Sequence, residues 1–480
     1  MSKKSLNKAN LTGLGAERLA ELLLEVTTGN AALQRRLRLE LSAAQGPGEV
    51  AREVRKRFAA LRRSTSFVDW RGRHKLVQDL EAHLSMIVDK VAPEDPETAF
   101  DLFWALLDLA PSIHERADDS HGNIGDVFRD AMAEFQEIGP RAASDSHALA
   151  ERIFAALMDN DYGQFDGLID VLGETLGEEG LERLKALALA DEDTPLPEDE
   201  DSEEIGYLTG PAGLERRRAV AADMTQLRID MILRDIADQQ GDVDAYMGRY
   251  RPDQLRMPQI AAEVAQRLLG AGRSQEAFEI VAAARAAAGD RGLGTYELDQ
   301  VYLACLVALG RVDEAQAFRW ANFERTLDPH HLRDFLKELP DFEDIEAEER
   351  AKAVALAFPN MHAALTFLIE WPDHALAAKL VESRFEELDG DAYYVLTPAA
   401  EALDGHHPLA ATLARRAMIL FTLTEARSTR YKHAARHLLE CEAADRTIDD
   451  YGEHPDHATF VDALRQRHGR KQGFWGQVRG

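Results

Sequence analysis

The chain has 480 residues, with 45% hydrophobic and 29% charged side chains and a formal net charge of −29. This length predicts about two to three domains, and the negative charge disfavours nucleic-acid binding by the surface as a whole, because phosphate groups repel it. No run approaches the ~18 apolar residues of a membrane span, and residues 1–13 lack the apolar core of a secretion signal. The two cysteines, Cys305 and Cys441, are too few for a disulfide framework. We therefore expect a cytoplasmic protein that does not enter a membrane.

The first predicted elements are amphipathic helices. Ala, Leu, Glu and Arg dominate the composition, and these residues favour helices because they lose little side-chain freedom there. Helical periodicity begins at residues 14–26. A second helix follows Asn30, whose side chain suits an N-cap, and we expect Leu33, Leu37 and Leu41 to form its buried stripe.

A third amphipathic helix is predicted at residues 49–63, where apolar and basic side chains separate onto opposite faces. At ~100° per residue, its apolar side chains fall within an arc of about 80°. These apolar residues are Val50, Val54, Phe58 and Leu61. The opposite face carries the candidate partner-binding residues Arg52, Arg55, Lys56, Arg62 and Arg63.

The helix at 49–63 belongs to a basic segment of an otherwise acidic chain. Residues 35–75 contain twelve Lys and Arg residues and four acidic ones, which gives a local charge of +8. Three interpretations stay open: a solvated face paired with local acids, docking to an acidic protein surface in this chain or in a second copy, and contact with nucleic-acid phosphates. Aromatic groups for base stacking are scarce beyond Phe67 and Trp70, which favours protein docking over nucleic acid.

A break in the helical pattern is predicted after residue 190. Before it, Asp95 followed by Pro96 indicates another helix start. Residues 191–204 include nine acidic residues, two prolines and no basic residue. Charge repulsion and proline both oppose a packed element, so we predict an acidic linker or loop at 191–215. An alternative is that this segment folds over the basic segment and screens it.

Repeated helical hairpins are predicted after the linker. Gly241, Gly272 and Gly310 each follow an apolar helix and precede a short polar link. Glycine suits the left-handed conformation that closes a helix. Their spacings of 31 and 38 residues are in the range of helical-pair repeats.

These hairpins resemble tetratricopeptide-type repeats. Gly272 and Gly310 match the turn glycine, Ala277 and Ala315 match the small residue that opens the second helix, and residues 327–329 resemble the end of a unit. The resemblance implies a curved stack of helix pairs. Such stacks most often bind proteins or peptides.

A second resemblance rests on residues 427–438, the ending 468–475, and residues 35–41 and 118–122. These segments resemble the helical region downstream of the finger in bacterial SWIM zinc-finger proteins. The overall arrangement resembles an uncharacterised proteobacterial domain-of-unknown-function family. Two cysteines cannot form the Cys-x-Cys and Cys-x-His finger, so no finger-borne nucleic-acid role is carried over.

Histidine and cysteine side chains near the C-terminal end were considered as metal ligands. His433, His437 and Cys441 share one predicted helix face, and His454 and His457 follow. Imidazole and thiolate at helical spacing suit zinc. However, three ligands over two turns span about 12 Å, so one ion cannot bind all three. We predict packed histidines and no metal.

The sequence contains none of the catalytic motifs that are readily recognised. It has no Gly-Lys dipeptide for a phosphate-binding loop, no Gly-x-Ser-x-Gly, no His-Glu-x-x-His and no Cys-x-x-Cys. Residues 118–125 resemble a calcium loop, but carboxylates are missing at its first and last positions. We predict instead a turn that feeds a helix N-terminus.

Together these patterns predict an all-α protein. An N-terminal helical bundle at 1–190 is followed by the linker at 191–215 and an α-solenoid-like repeat domain at 216–480. The predicted function is a non-enzymatic cytoplasmic scaffold that binds protein partners through the repeat surface, with no cofactor. The alternative is a nucleic-acid-associated protein that uses helix 49–63.

Overall fold

The computed structural model describes residues 5–143, 145–192, 211–289 and 295–478, without the side chains of residues 211–223 and 295. The chain divides into two compact units, Met1–Thr295 and Tyr296–Gly480. Within the described ranges the secondary structure is helical, apart from one isolated parallel bridge between Val68 and Ala117. The all-α prediction is confirmed. No described helix is long and apolar enough to cross a membrane.

The first unit is a bundle of helices. Its α-helices are α1 (Lys8–Thr12), α2 (Ala16–Thr27), α3 (Ala31–Ala43), α4 (Pro47–Arg62), α5 (Trp70–Met86), α6 (Pro96–Leu107), α7 (Ala110–His114), α8 (Asn123–Ala142), α9 (Ser146–Met158), α10 (Leu168–Glu192), α11 (Pro211–Gln240), α12 (Val243–Gly248), α13 (Pro258–Gly270) and α14 (Ser274–Ala288). A π-helical turn, Ile87–Val91, continues α5, and a 3-10 turn, Gln254–Arg256, precedes α13.

Aromatic side chains fill the centre of the first unit. Phe103 and Trp104 of α6 are fully or almost fully buried. Both pack on Phe135 of α8, with ring centroids 6.0 and 5.2 Å away. Asp95 caps α6 by accepting the amide of Thr98 at 3.1 Å, as its place before a proline predicted. This core fixes the helices against which α4 and α5 pack.

The apolar stripe predicted for the third helix is confirmed in α4, and the stripe predicted for the second is wrong in α3. Asn30 does cap α3, accepting the amides of Ala32 and Leu33. However, Leu33 and Leu41 are 41% and 65% exposed, whereas Leu39 is 3% exposed. The buried face of α3 is set by its contacts with α4 and α5, which its own periodicity did not specify.

The second unit is a succession of helix pairs. Its α-helices are α15 (Thr295–Ala308), α16 (Val312–Thr326), α17 (Pro329–Lys337), α18 (Glu343–Ala357), α19 (Met361–Glu370), α20 (His374–Ser383), α21 (Tyr393–Leu403), α22 (Pro408–Thr424), α23 (Tyr431–Asp445), α24 (His457–His468) and α25 (Gln472–Val478). Two 3-10 turns, Phe385–Glu387 and Ser428–Arg430, precede α21 and α23. Helix α22 is buried along most of its length and packs against α20, α21 and α23.

The glycine turns predicted between paired helices are confirmed. Gly241, Gly272 and Gly310 have φ of 65°, 75° and 67°. After each one, the next amide bonds to a carbonyl five residues back, at 2.8 to 2.9 Å, which closes the preceding helix. Ala277 and Ala315 are buried where the second helix of a pair approaches the first. The structure thus contains the successive helical hairpins of a repeat-like fold.

The predicted division into domains differs from the two units. Residues 193–210 lie outside the described residues, so the linker at 191–215, and its alternative role as a cover of the basic segment, stay predictions. Helix α11 begins at Pro211, inside that segment, and its Ile229 and Ile232 join the core of the first unit. The domain limits 1–190 and 216–480 also stay predictions, although the first compact unit continues to Thr295.

Candidate functional site

The five candidate partner-binding residues lie on the solvent side of α4. Their apolar counterparts Val50, Val54, Phe58 and Leu61 are at most 4% exposed, because this face packs on α6 and on the π-helical turn. Arg52, Arg55, Lys56, Arg62 and Arg63 are all exposed. The structure therefore places the five cations together on one surface, while partner binding by them stays a prediction.

Two of these five cations have local partners and three do not. Arg52 pairs with Glu49, and Lys56 pairs with Glu53 at 3.4 Å. Exposed pairs of this kind contribute little to stability. Arg55, Arg62 and Arg63 form no ion pair with any residue that the structure describes. Their charges are therefore available to a partner.

An arginine–aspartate cluster lies on the inner edge of the same helix. Asp79 of α5 accepts a hydrogen bond from Nε of Arg57 at 2.6 Å, and its other oxygen lies 3.7 Å from Nε of Arg35. The Asp79 side chain is 9% exposed. The cluster consists of Arg35, Arg57 and Asp79, and it ties α3, α4 and α5 together. It was not predicted, because Asp79 lies outside the basic segment.

A basic cavity of about 380 Å³ opens beside this cluster. Its charged lining residues are Arg35, Arg57, Asp69, Lys75 and Arg116. Apolar side chains of Leu61 and Leu76 form part of the wall, and Phe67, 70% exposed, stands at its edge. Asp69 is engaged as the N-cap of α5, where it accepts the amides of Arg71 and Gly72 at 3.1 and 2.8 Å.

Arg116 is the most buried cation of this cavity. It is 8% exposed, and its Nη1 and Nη2 donate to the carbonyl oxygens of Ser66 and Leu61 at 3.2 and 3.4 Å. Its Nε is buried without a hydrogen-bond partner, and no described carboxylate forms an ion pair with it. Burial and the nearby Arg57 lower the pKa of Arg116. No sequence pattern indicated this residue, because its hydrogen bond to Leu61 of α4 joins residues 55 positions apart.

The second unit contains a groove of about 340 Å³ between α21, α22 and α23. Its lining includes Tyr393, Thr397, Met418, Arg430, His433 and His437. Tyr393 is 54% exposed, and Arg430 lies over its ring at 5.0 Å from the centroid. Arg430 also pairs with Asp391 at 2.5 Å. We call this feature the tyrosine groove; no sequence motif indicated it.

Among the residues considered as metal ligands, His437 and Cys441 bond to other groups. Nδ1 of His437 contacts a carboxylate oxygen of Glu440 at 3.0 Å, and burial lowers the pKa of His437 while Glu440 opposes that shift. The Cys441 thiol is buried and donates to the carbonyl oxygen of Thr412 at 3.8 Å. His433 is exposed at the tyrosine groove. Among the described residues, no group of three potential ligands could hold a metal ion.

The loop compared with a calcium site feeds a helix, as predicted. Asp119 accepts the amides of Ile124 and Gly125, each at 3.0 Å, and thereby caps the start of α8. Asp118 donates its backbone amide to the carbonyl oxygen of Val68 at 3.1 Å. This bond joins the loop to the wall of the basic cavity.

Comparison with known proteins was made against families, curated proteins and solved structures. The model of a family of unknown function, DUF6880, matches residues 1–477. No curated protein matches the chain. One solved structure, described as a circular tandem repeat protein with novel repeat topology and enhanced subunit contact surfaces, matches with 14% identity over 96% of this chain and 99% of that chain. Its TM-score is 0.15, so no structural argument is carried over. The relation to SWIM zinc-finger proteins stays a prediction.

Proposed function

The chain belongs to DUF6880, a family of unknown function, and we propose that it is a non-enzymatic scaffold or adaptor that binds a protein partner through the hairpins of its second unit. The observation that carries the proposal is the tyrosine groove. Tyr393 is 54% exposed beneath Arg430, and the ring of Tyr394, 72% exposed, contacts that of Tyr393. Tyrosine and arginine are enriched among the residues that dominate the free energy of protein association.

The chemistry of the groove favours a partner that supplies apolar contact and hydrogen bonds. Met418 and Thr397 line it, and the volume of about 340 Å³ is large enough for one or two side chains of a partner. The charge of Arg430 is balanced by Asp391. Recognition would therefore depend on packing more than on net charge, and binding would weaken only slightly as salt is raised.

Site-specific photo-crosslinking in the native host tests this proposal with the full chain. A photoreactive phenylalanine analogue replaces Tyr394, whose ring contacts that of Tyr393 at a centroid distance of 6.0 Å and which is not itself among the lining residues. We expect a defined protein adduct that is lost when Tyr393→Ala is added. Tyr296→Ala is the matched control, since Tyr296 is a 63% exposed tyrosine of the same unit. An adduct that persists in Tyr393→Ala, or disappears equally in Tyr296→Ala, would rule out the groove.

Nucleic-acid association through α4 is the second candidate, and the three exposed cations without an ion pair favour it. Arg55, Arg62 and Arg63 could each meet a phosphate, and binding would then fall steeply with salt. Charge reversal at Arg55, Lys56 and Arg62 should abolish binding to single-stranded DNA or RNA. The absence of any gel shift at low salt would eliminate this candidate. Salt dependence separates it from binding at the tyrosine groove.

A further inference from the structure

We propose that the basic cavity of the first unit binds a phosphate monoester, the dianionic end group of a small phosphorylated molecule. The cavity is lined by four cationic side chains from three helices and one loop, and its volume is about 380 Å³. That volume falls in the range of pockets that enclose small ligands. The cavity belongs to the first unit and the tyrosine groove to the second, and the inference does not depend on the proposed scaffold function.

The charge balance of the cavity indicates a dianion. Arg35, Arg57, Lys75 and Arg116 contribute four positive charges, and Asp69 is the acidic residue of the lining. Asp79 lies behind it and is bound to Arg57 and Arg35. Four cations against two carboxylates leave an excess of two positive charges. A phosphate monoester carries about −1.5 to −2 at pH 7, which matches that excess.

The hydrogen-bond donors of Arg116 support the same conclusion. A guanidinium group has five N–H donors, and Arg116 uses two of them, on the carbonyl oxygens of Ser66 and Leu61. Its Nε is buried without a hydrogen-bond partner, and the residue is only 8% exposed. A buried cation without a carboxylate is unfavourable because it has lost its hydration. An anion in the cavity would supply the missing counter-charge.

The ammonium group of Lys75 is suited to bind the phosphate group of the ligand. It is exposed, it lines the cavity, and it forms no ion pair with a residue in the described part of the chain. The hydroxyl-bearing residues Ser64 and Ser66 line the same cavity. Three kinds of donor that bind phosphate oxygens, namely guanidinium, ammonium and hydroxyl, therefore converge on one space.

The charge balance of the cavity favours a monoester over the phosphodiester of a nucleic acid. A diester carries a single negative charge, and its two ester substituents must both leave the cavity. The exposed cations on and directly after α4, among them Arg55 and Arg63, form the open surface that suits a polymer backbone. The basic cavity and this open surface are thus separate features with different expected ligands.

A purely structural role of Arg116 is the competing explanation. Leu61 lies in the last turn of α4, and a cation there interacts favourably with the helix dipole and with its unpaired carbonyl groups. This role accounts for the two hydrogen bonds that Arg116 donates to carbonyl oxygens. It does not explain the convergence of Arg35, Arg57 and Lys75 on the same cavity, and it predicts no affinity for phosphate.

Isothermal titration of the full chain with methyl phosphate and dimethyl phosphate, at constant ionic strength, tests the proposal. The two probes differ in one methyl group and one negative charge. We expect methyl phosphate to bind at least about tenfold more tightly, because charge-assisted hydrogen bonds to the second oxyanion are lost in the diester. No binding of methyl phosphate, or equal binding of both probes, would overturn the proposal. So would tighter binding of an oligonucleotide that competes with methyl phosphate.

A matched pair of variants locates the binding. Lys75→Gln removes a cation of the cavity, and Arg55→Gln removes an exposed cation of α4 that lies outside it; neither residue forms an ion pair with a described residue. We expect Lys75→Gln to weaken methyl phosphate binding about tenfold and Arg55→Gln to change it less than about twofold. Circular dichroism checks that both variants keep the helical content. Equal losses in the two variants would show non-specific attraction and refute the assigned site.

Discussion

Removal of the carboxylate of the arginine–aspartate cluster is the most direct test of how the first helices are held together. In Asp79→Asn, Arg57 loses its charged acceptor at 2.6 Å and Arg35 its counter-charge at 3.7 Å. Breaking a fully buried ion pair costs about 3–5 kcal/mol. The side chains of Arg57 and Arg35 are 20% and 35% exposed, so water relieves part of that loss. We expect a destabilisation of about 2 kcal/mol.

Hydrogen exchange followed by mass spectrometry measures this loss region by region, which matters because a chain with two compact units need not unfold in one step. A loss of about 2 kcal/mol should speed the slowest-exchanging amides of α4 and α5 roughly thirtyfold, while the second unit is unchanged. Glu81→Gln is the control, since Glu81 is an exposed acid of α5 without an ion pair to a described residue. Unchanged exchange in Asp79→Asn would refute the reasoning.

The same variant also tests the charge balance of the basic cavity. Asp79→Asn raises the excess from two to three positive charges, so methyl phosphate should bind more tightly than to the unmodified chain. A ligand at 100 times its Kd stabilises the folded state by about 2.7 kcal/mol. Methyl phosphate should therefore restore most of the lost protection in α4 and α5. Weaker binding to Asp79→Asn would contradict the assignment of the cavity.

Three further predictions concern other parts of the structure. Gly390→Ala should destabilise the second unit by about 2–3 kcal/mol in urea unfolding, because the new Cβ would lie 2.2 Å from the carbonyl oxygen of Ala417, whereas Gly476→Ala, with open space around it, should not. Burial raises the pKa of the Cys441 thiol to about 12, so iodoacetamide should label it at pH 8 only after unfolding, and rapid native labelling would contradict its burial. Burial raises the pKa of Asp235 to about 6, above its unfolded value, so the free energy of unfolding should fall as pH rises from 4 to 6. Asp235→Asn should remove this contribution to the pH dependence and stabilise the protein by about 2 kcal/mol at pH 7. Urea unfolding at each pH measures both effects.

Local signals in the sequence were sufficient for much of the fold. Asn30 and Asp95 were recognised as N-caps because a cap depends on residues within three positions. Gly272 and Gly310 were recognised as hairpin turns because a positive φ favours glycine wherever it occurs. The prediction of the apolar face of α4 was also correct, because Val50, Val54 and Phe58 recur at helical spacing.

Features that depend on distant residues could not be predicted. The buried face of α3 contains Leu39 rather than Leu33 and Leu41, because its neighbours α4 and α5 select the face. The contact of Arg116 with the end of α4 joins residues 55 positions apart. Tyr393 and Arg430 meet because α21 and α23 both pack on α22 and Arg430 lies in the 3-10 turn directly before α23; periodicity does not reveal such neighbours.

The structure also separates the basic segment into parts with different roles. The net charge of +8 suggested a single basic surface. In the structure, however, Arg35 and Arg57 point inward to Asp79. Arg55 instead faces solvent and forms no ion pair with a described residue. A net charge counted along the sequence cannot distinguish these environments, although burial changes the ligand that each can bind. Inward cations favour a small dianion that replaces lost hydration, and outward cations favour a surface that keeps it. Lys75→Gln, in the lining of the basic cavity, should therefore weaken phosphate binding and leave polymer binding nearly unchanged, whereas Arg55→Gln should weaken polymer binding and leave phosphate binding nearly unchanged.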